Sequence, residues 1–82
     1  MGITEDIADQ LAKEAIAAAE KLGDDQLVAN VAKVIGATSA TTEEAFLTAV
    51  RIRSAETRAR EYLADRIAGE APAVPESAQE DH

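Results

Sequence analysis

Hydrophobic residues recur at helical spacing along most of the chain and divide it into three segments. The spacing predicts three helices, over residues 5–22, 25–35 and 42–68. Gly23 and Gly36 stand where the first two helices should end, because glycine readily adopts the left-handed conformation that terminates a helix. Most large apolar residues of the second segment are β-branched, but their spacing fits a helix better than the alternation of a strand. We therefore predict an all-α domain that spans residues 1–68.

Each predicted helix opens with residues that suit the start of a helix. Thr4 is a candidate cap for the first helix, and Asp24 or Asp25 for the second. Thr41 and Glu44 match the S/T-x-x-E capping box, in which each side chain accepts a hydrogen bond from a backbone N–H group of the first turn. The sequence therefore predicts a third helix that begins beside Thr41 and contains neither Gly nor Pro.

The first helix carries an unusually wide apolar stripe. Its centre is formed by residues on one line of the helix surface: Ile3, Ile7, Leu11, Ala18 and Leu22. Alanines beside this line widen the stripe past half of the circumference, whereas a surface helix typically needs roughly a third. We expect the helix to pack through this stripe against more than one neighbour.

Two apolar patches lie on different sides of the long third helix. Phe46, Leu47 and Val50 form one patch in its first half, and we expect the first two helices to fold back on it. The apolar residues of the second half, which include Ile52 and Leu63, are centred almost half a turn away. One short neighbour cannot cover both patches, so the second is predicted to bind another chain.

A heptad rhythm, with alternating spacings of four and three, runs along the third helix through Ala45, Ala49, Ile52, Glu56, Ala59, Leu63 and Arg66. This is the a/d pattern of a coiled coil. We predict a protein–protein interaction module that forms a homodimer through six interface residues: Ala49, Ile52, Glu56, Ala59, Leu63 and Ile67. Glu56 is expected to fix the register by meeting Arg53 or Arg60 of the partner. Glu56 and Arg60 also have the i, i+4 spacing of an ion pair within one helix.

The composition indicates a small domain with few large apolar residues. Alanine accounts for 19 of the 82 residues, and the chain has one Phe, one Tyr and no Trp. A core of fewer than about 70–80 ordered residues rarely supplies more than a few kcal/mol, so self-association is a natural source of further stability. The sequence contains no Cys and no apolar run that reaches the ~18 residues of a membrane span. Its acidic first ten residues lack the basic-then-apolar order of a secretory signal, so we expect none. We expect a cytoplasmic protein.

The net charge of −8 is concentrated towards the two ends of the sequence. Residues 1–36 hold three lysines against seven acids, and residues 69–82 hold four acids and no base, whereas residues 41–68 are balanced. The last segment also contains both prolines and is predicted to be a disordered acidic tail. An acidic protein repels nucleic acid, so we expect a protein partner. An acidic decoy of a nucleic-acid-binding protein is an alternative.

Residues 31–53 resemble the bacterial helix-turn-helix pattern. The resemblance rests on small and apolar residues at matching positions: Val31, Ala32, Ile35, Gly36, Ala45 and Phe46. It implies a small DNA-binding regulator. However, Thr42 stands where the pattern has an apolar residue, and Glu43 and Glu44 would open the recognition helix facing phosphate. We therefore favour an ordinary helical corner and keep DNA binding as an alternative function.

No arrangement suited to catalysis is apparent in the sequence. Three pairs of adjacent acids stand at predicted helix starts, where the helix dipole favours them: Glu5/Asp6, Asp24/Asp25 and Glu43/Glu44. The one histidine, His82, is the last residue. General acid–base catalysis needs a positioned group with a shifted pKa, and none is indicated. We expect no enzyme activity, cofactor, metal site or small-molecule substrate.

Overall fold

The computed structural model describes residues 2–69 and Ala73, and within them the chain forms three helices. These are α1 (Ile3–Leu22), α2 (Leu27–Gly36) and α3 (Ala40–Ile67). No strand occurs among the described residues. The predicted all-α, three-helix fold is confirmed, and every helix boundary lies within two residues of its predicted position. The predicted tail, residues 69–82, lies outside the described residues except for Gly69 and Ala73.

The third helix begins with a serine cap, two residues before the predicted capping box. Ser39 has an extended backbone (φ −153°, ψ 101°), and its hydroxyl accepts a hydrogen bond from the Thr42 backbone N–H at 3.1 Å. The Ser39 hydroxyl also donates to the Thr42 hydroxyl at 2.8 Å. Thr41 and Glu44 instead lie inside the first turns of α3, so the predicted box was wrong. The sequence offers two overlapping start signals, and the earlier one adds two residues of helix.

The caps predicted for the first two helices are also corrected. Gly2 precedes α1, and the Asp6 backbone N–H already reaches the Gly2 carbonyl at 3.1 Å, so Thr4 lies inside the first turn. Gln26 precedes α2 and makes no side-chain cap. The carboxylate of Asp24 accepts a hydrogen bond from the Gln26 backbone N–H at 3.0 Å. Asp24 thus orders the turn between α1 and α2 and does not cap α2 itself.

The glycines at the ends of α1 and α2 have different roles. Gly23 adopts the predicted left-handed conformation (φ 63°, ψ 33°) and terminates α1. α2 ends at Gly36 as predicted, but Ala37 after it remains right-handed (φ −61°, ψ −27°), so no left-handed glycine is involved. A Cβ at Gly36 would collide with the carboxylate of Glu43 on α3. Gly36 therefore leaves room for the end of the flexible Glu43 side chain.

The core consists of one phenylalanine surrounded by alanines. Phe46 on α3 is 0% exposed and is the largest fully buried side chain among the described residues. The other buried residues in this part of the chain are alanines contributed by all three helices: Ala8, Ala12, Ala15, Ala32 and Ala49. Leu47 and Val50 pack against this cluster and are partly buried. Because alanine has no side chain beyond Cβ, three helices approach closely around a single ring, and the predicted core around Phe46 is confirmed.

The face of α1 that enters the core differs from the predicted one. Ala8, Ala12 and Ala15 are buried, whereas Ile3 and Leu22, from the centre of the predicted stripe, are 76% and 67% exposed. The predicted centre of the stripe was therefore wrong. The alanine edge faces Phe46 because it lets the two helices come closer than isoleucine or leucine would.

α1 and α3 run in the same direction because α2 carries the chain back between them. Thr4, near the start of α1, lines a groove with Thr41, near the start of α3. Glu20, near the end of α1, lines a cleft with Glu61 in the second half of α3. The most extensive helix–helix contact is the one between α1 and α3. The two helices therefore pack side by side from their starts and diverge where this cleft opens between them.

Candidate interaction surfaces

α3 divides into two halves that differ in burial. The inner half, Ala40–Arg53, contains both buried residues of the helix, Phe46 and Ala49. In the outer half, Ser54–Ile67, every residue is exposed except Tyr62, which is partly buried. The Tyr62 hydroxyl donates a hydrogen bond to the Ala73 carbonyl. The outer half therefore remains helical with little cover from the described part of this chain.

Five of the six predicted interface residues lie exposed along one face of α3. We call this set the α3 seam: Ile52, Glu56, Ala59, Leu63 and Ile67. Its large apolar members are 63%, 57% and 87% exposed, in chain order. Ala49, the sixth residue, is only 9% exposed and belongs to the core. Its position differs from the prediction because α1 packs beside this part of the heptad pattern, and we leave Ala49 out of the seam.

An ion pair joins α1 to α3 where the two halves of α3 meet. The Arg53 Nε and Nη2 groups donate to the two carboxylate oxygens of Asp9, both at 2.7 Å. The hydrogen bonds from Arg53 lower the pKa of Asp9 below its usual value, and the same bonds raise the pKa of Arg53. The two residues are 44 positions apart in sequence, so no local pattern reveals the pair. For that reason the sequence suggested Arg53 as a contact for a partner.

The second arginine proposed for a partner, Arg60, is paired within its own helix. Its Nε donates to Glu56 Oε2 at 3.0 Å, and its Nη2 lies 2.9 Å from the same oxygen. This i, i+4 pair is confirmed as the sequence spacing predicts, and an exposed pair of this kind is worth about 0.2–0.5 kcal/mol. Arg53, Arg60 and Glu56 therefore all have charged partners inside the chain before any second copy is considered.

A groove of about 950 Å³ runs between the starts of α1 and α3. We call it the acidic groove. Its floor is small and apolar, with Ala45 and Ala49 along it and Ile52 at the end nearest the outer half of α3. Four carboxylates line it from the two helices: Glu5, Asp6, Asp9 and Glu44. No basic residue lines the groove.

The acidic groove was not expected from the sequence, although its acids were noticed. Glu5, Asp6 and Glu44 were assigned only to helix starts, where they interact favourably with the dipole. Because α1 and α3 run in the same direction, their starts lie side by side. Acids that suit each helix separately are therefore brought to one groove, and only the direction of α3 relative to α1 reveals this.

A smaller cleft of about 400 Å³ lies where the outer half of α3 leaves α1. Side chains of both charges line it: Lys13, Arg53 and Arg58 together with Glu20, Glu56 and Glu61. Because the charges are balanced, this cleft does not favour a ligand of either sign.

The structure places the residues of the helix-turn-helix resemblance at an ordinary helical corner. α2 and α3 are joined by residues 37–39, with Glu43 and Glu44 in the first turns of α3. Arg51 is exposed, whereas Arg53 is bound to Asp9.

Among residues 2–69 and Ala73, no group of three or more His, Cys, Asp or Glu residues is placed to hold a metal ion. Within the same residues, no helix has the length and apolar character needed to cross a membrane.

Comparison with protein-family models, with curated proteins and with solved structures found no match to this chain. Functional inference therefore depends on the two surfaces described above, the α3 seam and the acidic groove.

Proposed function

We propose that the protein is a non-enzymatic helical interaction module, an assembly, adaptor or regulatory subunit that forms a homodimer through the α3 seam. One observation carries this proposal: α3 continues through its outer half after its packing on α1 and α2 has ended. A cytoplasmic location belongs to the same proposal and stays a prediction from the sequence.

The outer half of α3 needs stabilisation from outside the described chain. The inner half nucleates the helix, but each added helical residue contributes little free energy in water, so an unpacked end frays. Leu63 and Ile67 in this segment are exposed, as is Ile52 just before it, and the three lie on one side of α3. Burying an apolar side chain of this size gains roughly 1.5–3 kcal/mol. Pairing two seams would bury these residues in both copies and hold both outer halves in place.

An antiparallel arrangement of the two seams fits the side chains better than a parallel one. In a parallel pair, Glu56 of one copy would face Glu56 of the other, and like charges repel. In an antiparallel pair that crosses at Ala59, Ile67 of each copy lies beside Ile52 of the other. Leu63 then packs against Ala55 and the methylene groups of Glu56, whose carboxylate remains bound to Arg60. The small side chain of Ala59 allows the two helices to approach closely at the crossing point.

Sedimentation equilibrium of the full chain at about 50 µM tests the homodimer. The test variant is Leu63→Asp/Ile67→Asp, which places two charges in the seam. The matched control is Ile3→Asp/Val34→Asp, because Ile3 and Val34 are 76% and 73% exposed on the other two helices. Wild type and control are expected to sediment as dimers, and the seam variant as a folded monomer whose core still melts cooperatively.

Either of two results would refute the homodimer through this seam. One is a wild-type protein that sediments as a monomer at this concentration. The other is a seam variant that still dimerises as well as the control, since burying two unpaired carboxylates in an apolar contact costs several kcal/mol.

DNA binding has less support than self-association. Of the two arginines in residues 31–53, Arg53 is bound to Asp9, and the start of α3 contributes Glu44 to the acidic groove. A DNA-binding surface needs cations that neutralise phosphates. A mobility-shift assay with duplex DNA at low salt decides between the two functions, because a shift abolished by Arg51→Ala would favour the regulator.

A further inference from the structure

We infer that the acidic groove is a second docking surface, which binds a cationic amphipathic helix of a different protein. This goes beyond self-association, because the groove lies at the start of α3 and the seam is centred on its outer half. The inference rests on the shape of the groove, on its charge and on the charge of the outer half of α3.

The shape of the groove suits a short helix that carries large apolar side chains. Its α3 wall extends from Ala40 to Ile52, which is about 18 Å at 1.5 Å per residue, or a little over three turns. The apolar residues that line it before Ile52 are all alanines, at positions 40, 45 and 49. Because these side chains are small, the groove has room for large apolar side chains of a binding partner. An amphipathic helix with leucine-sized residues at i, i+4 and i+7 supplies such anchors.

The charge of the groove selects basic residues beside those anchors. Glu5, Asp6 and Glu44 are exposed at the edges, and no ion pair involves any of them among the described residues. Asp9 is already bound to Arg53. Each helix start contributes only about half an elementary positive charge, so three carboxylates outweigh the two helix dipoles together. Lys or Arg residues on the flanks of a bound helix would face these carboxylates.

A second copy of this chain does not provide the charge that the groove requires. Its exposed helix, the outer half of α3, holds Arg58, Arg60 and Arg66 against Glu56, Glu61 and Asp65, so it is neutral. Arg60 is moreover bound to Glu56. The occupant that complements the groove is therefore a basic segment of another protein.

The test measures binding of a fluorescein-labelled amphipathic Leu/Lys peptide of 14 residues to the full chain, by fluorescence anisotropy. The companion probe is the same peptide with Glu in place of every Lys. The groove variant is Glu5→Gln/Asp6→Asn/Glu44→Gln. The control variant is Glu14→Gln/Asp25→Asn/Asp65→Asn, which removes the same charge from exposed positions outside the groove. Circular dichroism checks that both variants retain the wild-type helix content.

The inference predicts that the Leu/Lys peptide binds wild type and the control variant alike, and that the groove variant weakens its Kd about tenfold or more. The Leu/Glu peptide should show no binding. Amide NMR shifts caused by the Leu/Lys peptide should map to residues 4–9 and 40–52. A second variant, Thr48→Arg, adds a positive charge at an exposed lining position and should also weaken binding.

The inference is overturned if the groove and control variants lose affinity equally, because binding would then follow net charge alone. It is also overturned if the peptide shifts map to the outer half of α3. The Leu63→Asp/Ile67→Asp variant separates this inference from the proposed dimer. It should bind the Leu/Lys peptide at least as tightly as wild type, because dimerisation would cover only Ile52 of the groove. Loss of binding in this variant would show that the peptide occupies the seam.

Discussion

The two halves of α3 belong to one uninterrupted helix and share one heptad rhythm, yet they have opposite surroundings. The inner half buries Phe46 and Ala49 against α1 and α2, whereas the outer half leaves Leu63 and Ile67 exposed. Both halves show apolar residues at helical spacing. The periodicity of apolar residues therefore indicates which residues share a face of the helix. Whether the rest of this chain covers that face depends on the length and direction of the neighbouring helices.

Local interactions help to keep the outer half helical. Glu56 and Arg60 form an i, i+4 ion pair, and the Thr57 hydroxyl donates to the Arg53 carbonyl at 3.1 Å. Alanine and arginine, which are frequent here, have high helix propensity. Such contributions are each a few tenths of a kcal/mol, whereas the burial of Phe46 is worth several. The inner half is thus fixed by packing, whereas the outer half depends on helix propensity and local contacts.

The largest difference in stability between the two halves is expected when the aromatic side chain of each half is removed in turn. Phe46→Ala is expected to cost about 3–5 kcal/mol, which is much of the stability of a domain this small. Its thermal transition, followed by circular dichroism at about 5 µM, should lose cooperativity. Tyr62→Ala should cost less than about 1 kcal/mol, because Tyr62 is only partly buried. Similar transitions for the two variants would contradict the assigned core.

Enlarging one alanine in the core and one in the outer half gives the next largest effect. Ala12 is 0% exposed, so Ala12→Leu should destabilise the protein by about 1–3 kcal/mol through overpacking around Phe46. Ala59→Leu at an exposed position should change stability by no more than about 0.5 kcal/mol in the monomer. Urea denaturation at low protein concentration measures both. If the Ala12→Leu variant were as stable as the Ala59→Leu variant, this would contradict the close packing of alanines around Phe46.

The ion pair at the junction of the two halves should give the smallest effect, and one that depends on pH. Arg53 lowers the pKa of Asp9 in the folded protein, so the pair stabilises the fold above the usual Asp pKa of about 3.9 and loses its effect as the pH falls below it. Asp9→Asn should therefore lower Tm by a few degrees at pH 7 and by less near pH 3. For Glu14→Gln, a control at an exposed position on α1, the Tm difference from wild type should not become smaller near pH 3. A Tm difference for Asp9→Asn that is constant with pH would show that the pair does not stabilise the fold.

The parts of the fold that depend on local patterns were predictable from the sequence. The three helices, the left-handed turn at Gly23 and the position of Phe46 in the core follow from periodicity and from the conformational preference of glycine. The buried face of α1 was not predictable by the same means. Hydrophobicity ranks isoleucine above alanine, but close packing around a single ring favours the smaller residue.

The long-range features of the candidate surfaces could not be derived from sequence spacing. The Asp9–Arg53 pair and the acidic groove both depend on α3 running in the same direction as α1, which no local segment encodes. The α3 seam was predictable as a set of residues on one face. The exclusion of Ala49 from it required the position of α1.

Hydrogen exchange measured at two protein concentrations, about 1 µM and 100 µM, tests most directly the claim that a second copy covers the outer half of α3. Amides of the inner half around Phe46 should exchange only with global unfolding at both concentrations. Amides near Leu63 should exchange quickly through local fraying at the low concentration and become protected at the high one. Equal exchange of the Leu63 segment at both concentrations, in a protein whose core remains protected, would contradict the proposed dimer through the α3 seam.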